Sequence, residues 1–257
     1  MALLEITGLV KKFGGLTAVD HVDLIAEKQK ITGLIGPNGA GKTTLFNMVG
    51  CTLPVTEGKI VFDGRLDLTK MAPHKLVYEG ITRTFQIEKL FKKMSVLENI
   101  MAAYYPHTRT NLASAILGLP IVKREELEVR AKAIELVEEF GLGSILNVLA
   151  GNLSTGQQRL VEIMRAVAGK PKLLMLDEPA AGLNTIETEN LLIHLRKLNE
   201  NGLSLLIIEH NMKFMMRLAD YIYVLNFGKL IAKGNPSEVC NDAEVVKAYL
   251  GKEYRHA

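Results

Sequence analysis

The feature that most narrows what this chain can fold into is the run Gly36-Pro-Asn-Gly-Ala-Gly-Lys42-Thr43. It follows the apolar pair Leu34-Ile35 and leads into Thr44-Leu-Phe-Asn-Met-Val49, an order that predicts strand, glycine loop, helix. The spacing Gly36-x4-Gly41-Lys42-Thr43 is that of a P-loop. Gly36, Gly39 and Gly41, with the short Pro37, Asn38 and Ala40 between them, let successive backbone N–H groups turn inward as an anion nest. The helix that follows starts at the anion and presents its positive dipole end. Lys42 reaches a terminal phosphate, the Thr43 hydroxyl suits Mg²⁺, and Thr44 adds a phosphate contact.

A second feature completes such a site. Leu173-Leu-Met-Leu-Asp-Glu-Pro179 is an apolar strand that ends in two acids. A carboxylate at the end of a buried strand is costly without a cation or donor to meet it. Mg²⁺ beside a P-loop is the natural partner for Asp177. Glu178, one residue further out, is placed to accept a proton from attacking water. There is no Asn-Lys-x-Asp motif to read guanine, and a small-molecule kinase would not need the Asp-Glu pair before Pro179.

The rest of the pattern is α/β. The first 35 residues read as β, and Ile60-Val-Phe62 followed by Asp63-Gly64 reads as a hairpin. Lys123 to Phe140 is dense in Glu, Lys, Arg and Ala, and Leu127, Ala131, Ile134 and Val137 fall at helical spacing within it. After this helical middle, Leu173–Leu176 and Leu205–Ile208 are short apolar runs flanking a helix over 186–201, and Tyr221–Leu225 with Lys229–Ala232 reads as a hairpin. Continuous apolar strands between helices imply a mainly parallel sheet covered on both faces.

Composition removes other classes. The chain has 257 residues, 48% hydrophobic and 23% charged, which excludes a disordered or low-complexity chain. A net charge of +3 is too small to support nucleic acid as a partner. Cys51 and Cys240 are the two cysteines, read as reduced thiols. Glu5 and the lack of a basic, then apolar, start argue against a secretory leader. The longest unbroken apolar run is six residues, Ile100 to Tyr105, whereas a membrane helix needs about 20. If the protein works at a membrane, a partner supplies the membrane part.

These residues resemble the ATP-binding subunit of an ABC transporter, and further segments carry the likeness. Leu153-Ser154-Thr155-Gly156-Gln157 resembles the family signature, Gln86 the Q-loop glutamine, Ala181-Gly182-Leu183-Asn184 the D-loop, and His210 the switch histidine. Phe13, before Gly14-Gly15, matches the aromatic that stacks on adenine, although a hairpin-core role suits it nearly as well. The resemblance implies one domain over 1–257. Its nucleotide-binding core would comprise 1–89 and 166–257, a P-loop α/β fold with an N-terminal antiparallel β subdomain. A helical insertion over 90–165 would carry the signature.

The resemblance also implies the chemistry. Lys42, Glu178 and His210 are catalytic, Thr43, Gln86 and Asp177 surround Mg²⁺, and the signature serves ATP held by a second subunit. Two positions depart from the family: Thr155 stands where glycine is usual, and Asn184 where aspartate is usual. Arg83-Thr-Phe-Gln86, Leu90–Asn99, Pro179–Asn184 and Ala248-Tyr-Leu-Gly251 further resemble the LivG-type subunit of branched-chain amino acid importers. That subfamily pairs two ATP-binding subunits on a membrane permease at the cytoplasmic face and is supplied indirectly by a solute-binding protein. Three other readings remain open at this point. One is a soluble ATPase of the same class acting on nucleic acid or ribosomes, and another is an ABC transporter subunit for a different solute. The third is a nucleotide-binding regulator that does not hydrolyse, which Glu178 and His210 argue against.

Overall fold

The structure, a computed structural model, describes residues 1–84, 90–108 and 120–250. The chain clusters into two compact units, Met1–Gln86 with Lys172–Ala257, and Ile87–Pro171.

The first unit opens with strands β1 (Ala2–Phe13) and β2 (Leu16–Glu27), paired antiparallel. β4 (Glu57–Phe62) joins the other edge of β1, and β5 (Leu66–Asp67) follows it across the Asp63-Gly64 turn. Alternating burial along these strands places Leu4, Ile6, Leu24 and Phe62 in the core beneath the sheet.

A second sheet has six strands. They are β3 (Ile31–Ile35), β6 (Ile81–Arg83), β7 (Leu173–Asp177), β8 (Ser204–Ile208), β9 (Tyr221–Asn226) and β10 (Lys229–Gly234). Their order is β10-β9-β3-β8-β7-β6, and every pair but β10–β9 is parallel. This is the mainly parallel sheet that the apolar runs imply. All five residues of β3, β7 and β8 are buried, as strands covered on both faces must be. Each fully buried Leu or Ile side chain contributes about 1.5–3 kcal/mol.

The helices of this unit are α1 (Lys42–Val49), α5 (Thr185–Glu200), α6 (Met212–Leu218), α7 (Pro236–Cys240) and α8 (Ala243–Leu250). Register aligns one edge of the sheet: Leu34 of β3 and Asp177 of β7 both pair with Ile208 of β8. The segments beginning Gly36, Glu178 and Glu209 therefore leave the sheet side by side. The carboxyl edge of parallel strands is where such sheets bind ligands.

The second unit holds α2 (Val96–Tyr104), α3 (Pro120–Glu139) and α4 (Thr155–Val167). The expected stripe on α3 is corrected at Leu127 and Ala131, while Val137 is buried as expected and Ile134 half-buried. Val129, Ala133, Val137 and Phe140 are buried, whereas Leu127 is 68% exposed and Ala131 is exposed. Leu127 lies about 200° around the helix from Val129, so the two cannot share a face. Both sets have helical spacing, and packing selects the one that includes Phe140. No helix among the described residues is long and apolar enough to cross a membrane.

Candidate nucleotide site

The loop after β3 is built by close backbone approach. Gly36 has φ +149°, and a Cβ there would lie 2.1 Å from the Leu225 carbonyl oxygen. Gly41, the N-cap of α1, has φ +98°, and its Cβ would meet the Ala18 carbonyl. Only glycine fits either position. The Gly228 N–H donates to the Ala40 carbonyl at 3.0 Å, tying the loop to the β9–β10 turn.

Lys42 is 5% exposed, and its Nζ donates to the carbonyls of Gly36 (2.7 Å) and Pro37 (3.0 Å). The ammonium is thus held at the centre of the loop, while Thr43, Asn38 and Gly39 face solvent. A cavity of about 270 Å³ opens on the loop, bounded by Gly39–Thr44 and by the Leu16–Ala18 segment. The aromatic that lines it is Phe227, at the β9–β10 turn, 85% exposed with φ +45°. Phe13 is not among the lining residues. It is 47% exposed at the end of β1, with Lys11 Nζ 5.1 Å from its ring centroid.

Asp177 ends β7 and is 3% exposed. The partner its burial demands is supplied from within the chain: Arg83 Nη2 donates to Asp177 Oδ2 at 3.2 Å. The Arg83 guanidinium also lies over the Phe46 ring, 4.5 Å from its centroid. Burial pushes the Asp177 carboxyl above the usual range, the positive charges of Arg83 and Lys42 pull it back, and the neighbouring Glu178 adds to the rise.

Glu178 has φ +46°, a turn that lifts its side chain off the end of the strand while its N–H still donates to the Ile208 carbonyl at 2.9 Å. Its carboxylate lies 3.6 Å from His210 Nδ1. The Glu178 side chain is 21% exposed and that of His210 54%. Between these segments Glu209 is fully buried and accepts three backbone hydrogen bonds, from Ala180, His210 and Asn211. Burial raises its pKa, and those N–H groups oppose the rise.

Two turns follow: the Ala181 N–H donates to the Glu178 carbonyl at 3.1 Å and the Leu183 N–H to the Ala180 carbonyl at 3.3 Å, and they carry Ala181, Gly182 and Leu183 to Asn184. The Asn184 side chain caps α5, accepting from the Glu187 N–H at 2.9 Å, while Glu187 accepts from the Asn184 N–H. That use was legible as Asn-x-x-Glu before an apolar stripe.

Within the second unit, Ser154 caps α4 in a capping box with Gln157. Leu153 and Gly156 are buried, while Ser154 and Thr155 are exposed. The Thr155 side chain, the departure from the family pattern, therefore stands in solvent at the helix start. Gln86 lies outside the described residues.

The first unit thus gathers Gly36–Thr44, Asp177, Glu178 and His210 at one sheet edge. Thr43 and Asp177 offer the hard oxygen donors that suit Mg²⁺. Sequence reasoning missed Arg83, Glu209 and Phe227. Glu209 left a trace as an acid directly after an apolar strand; the Arg83–Asp177 pair, 94 residues apart in the chain, left none.

The chain is similar to known proteins over nearly all of its length. Residues 19–181 match the family model described as ABC transporter, and residues 229–255 one described as branched-chain amino acid ATP-binding cassette transporter. The chain is 42% identical over 251 residues to the high-affinity branched-chain amino acid transport ATP-binding protein BraF of Pseudomonas aeruginosa, covering 97% of this chain and 98% of that one. It is 41% identical over 253 residues to LivG of Escherichia coli, of the same description, with the same coverage. Among solved structures it resembles the ADP conformation of MJ1267, an ATP-binding cassette of an ABC transporter. The TM-score is 0.85 at 34% identity, over 98% of this chain and 99% of that one.

Proposed function

The chain belongs to the ABC transporter family as an ATP-binding, ATP-hydrolysing subunit, and from that premise we propose that it powers import of branched-chain amino acids. The observation that carries the reading of the site is the convergence of Lys42, Asp177, Glu178 and His210 at one sheet edge. The solute assignment draws on the relatives' names and on the match over 229–255.

ATP is the substrate. Its phosphates enter the Gly36–Thr43 nest, where loop N–H groups, the α1 dipole and Lys42 meet their charge. Thr43 and Asp177, with Gln86, would hold Mg²⁺, which when bound neutralises phosphate charge. The Lys42 ammonium exchanges its two loop carbonyls for phosphate oxygens. Water attacks the γ-phosphorus and the bond to the bridging oxygen breaks, leaving ADP. Glu178 takes the proton that water loses, and His210 orients the water and touches the γ-phosphate. Most of the acceleration is positioning and electrostatics rather than covalent chemistry.

The signature, Leu153 to Gln157, faces ATP held by a second ATP-binding subunit, and the turn over 181–184 approaches the same interface. The exposed Ser154 hydroxyl and the N-terminus of α4 supply its anion contacts. ATP joins the two subunits, and hydrolysis releases them. The Ile87–Pro171 unit carries that motion to permease subunits, which places the protein peripherally at the cytoplasmic face of the membrane. A solute-binding protein takes part only through the permease.

The test is Glu178→Gln. It keeps ATP binding, loses nearly all phosphate release and accumulates as a closed dimer with ATP. Hydrolysis by this variant at the wild-type rate removes Glu178 as the base.

A further inference from the structure

Glu209 is a carboxylate with 0% exposure, at a position where an unmet charge is costly. Its two oxygens are shared between two chain segments. Oε1 accepts from the Ala180 N–H at 2.9 Å, two residues after Glu178. Oε2 accepts from the N–H groups of His210 at 3.1 Å and Asn211 at 3.2 Å. The Glu209 N–H itself donates to the Leu34 carbonyl of β3, two residues before Gly36. One side chain thus ties the segment carrying Glu178 to the segment carrying His210, and its backbone ties both to the strand that bears the phosphate loop.

We propose that Glu209 is a positioning residue for hydrolysis: its two-ended carboxylate fixes where Glu178 and His210, in direct contact at 3.6 Å here, stand relative to the attacking water. The inference rests on the roles proposed above for those two residues. The chemistry requires a carboxylate in particular. Three N–H donors arrive at two ends, and only a group with an acceptor at both ends meets them all. A glutamine in the same place carries one acceptor and one donor. Whichever way its amide turns, its N–H₂ faces an N–H, and either the Ala180 end or the His210–Asn211 end loses its partner. A shift of about 1 Å in a reacting group costs up to about a hundredfold in rate.

The experiment compares Glu209→Gln, Glu209→Asp and Glu178→Gln in the full chain, or in the complex that carries its activity, by phosphate release and by equilibrium ATP binding. Glu209→Gln is expected to lower kcat between about tenfold and a hundredfold while the Kd for ATP stays within about twofold. Glu209→Asp keeps both acceptors, set back by one methylene, and is expected to recover part of that loss. Wild-type kcat in Glu209→Gln overturns the inference. So does loss of ATP binding in step with kcat, because that marks a general role in the fold. If Glu209→Gln does not fold, Glu209→Asp carries the test alone: lowered kcat with ATP binding kept supports the role. Failure of both to fold overturns it. Glu178→Gln separates the two levels: its activity at the wild-type rate refutes the proposed base, whereas its inactivity beside a fully active Glu209→Gln refutes only the role of Glu209.

Discussion

Replacing Arg83 with methionine tests how the buried acid at the end of β7 is tolerated. The Arg83 side chain is 11% exposed and that of Asp177 4%, so the pair is shielded from solvent. Removing one member of a buried pair leaves a charge uncompensated and costs about 3 kcal/mol or more. About 1 kcal/mol of that is the guanidinium over the Phe46 ring, which does not depend on pH. The remainder does.

Burial already holds the Asp177 pKa above its usual value, and loss of Arg83 raises it further. A carboxyl whose folded pKa exceeds its unfolded value of about 3.9 is protonated in both states at low pH and adds no penalty there. The penalty grows as pH rises past that value and levels off above the folded pKa. The nucleotide-free variant should therefore lose about 6–12 °C in Tm at pH 7.5, from about 2–4 °C per kcal/mol for a chain of this size. The loss at pH 4.5 should be smaller, because less of the Asp177 carboxylate is charged there. Thermal unfolding of both proteins at the two pH values measures this. An equal loss at both, or one below about 1 kcal/mol, refutes the assignment of Arg83 as the counter-charge.

Lys42→Ala removes both loop hydrogen bonds and the charge that phosphate would meet, so calorimetric titration should show no ATP binding; tight binding by this variant removes the phosphate loop from the mechanism. Asn184→Ala should cost about 1 kcal/mol through loss of the α5 cap, whereas Asn184→Asp keeps an acceptor for Glu187 and should be neutral or stabilising in thermal unfolding.

The glycine loop after β3 was legible because its glycines answer to backbone sterics, which act within a few residues: Gly36 and Gly41 sit against carbonyls that no Cβ could approach. The parallel strands were legible because burial on both faces leaves unbroken apolar runs such as Leu205–Ile208. Long-range partners were not. Arg83 reads as one more basic residue until β6 pairs with β7 and brings it to Asp177. The face of α3 was misjudged because two sets of apolar residues on one helix satisfy the same period, and only packing distinguishes them. Glu209 stood beside His210 in the sequence, yet its role depends on the Ala180 N–H, which approaches only when β7 and β8 align.

Catalysis as proposed is shared between subunits, and turnover per subunit as a function of protein concentration tests this most directly. Phosphate release per mole should fall toward zero as the protein is diluted to a single subunit, and return when a second ATP-binding subunit is restored. Brisk ATP cleavage by a verified monomer, at a rate indifferent to dilution, contradicts it.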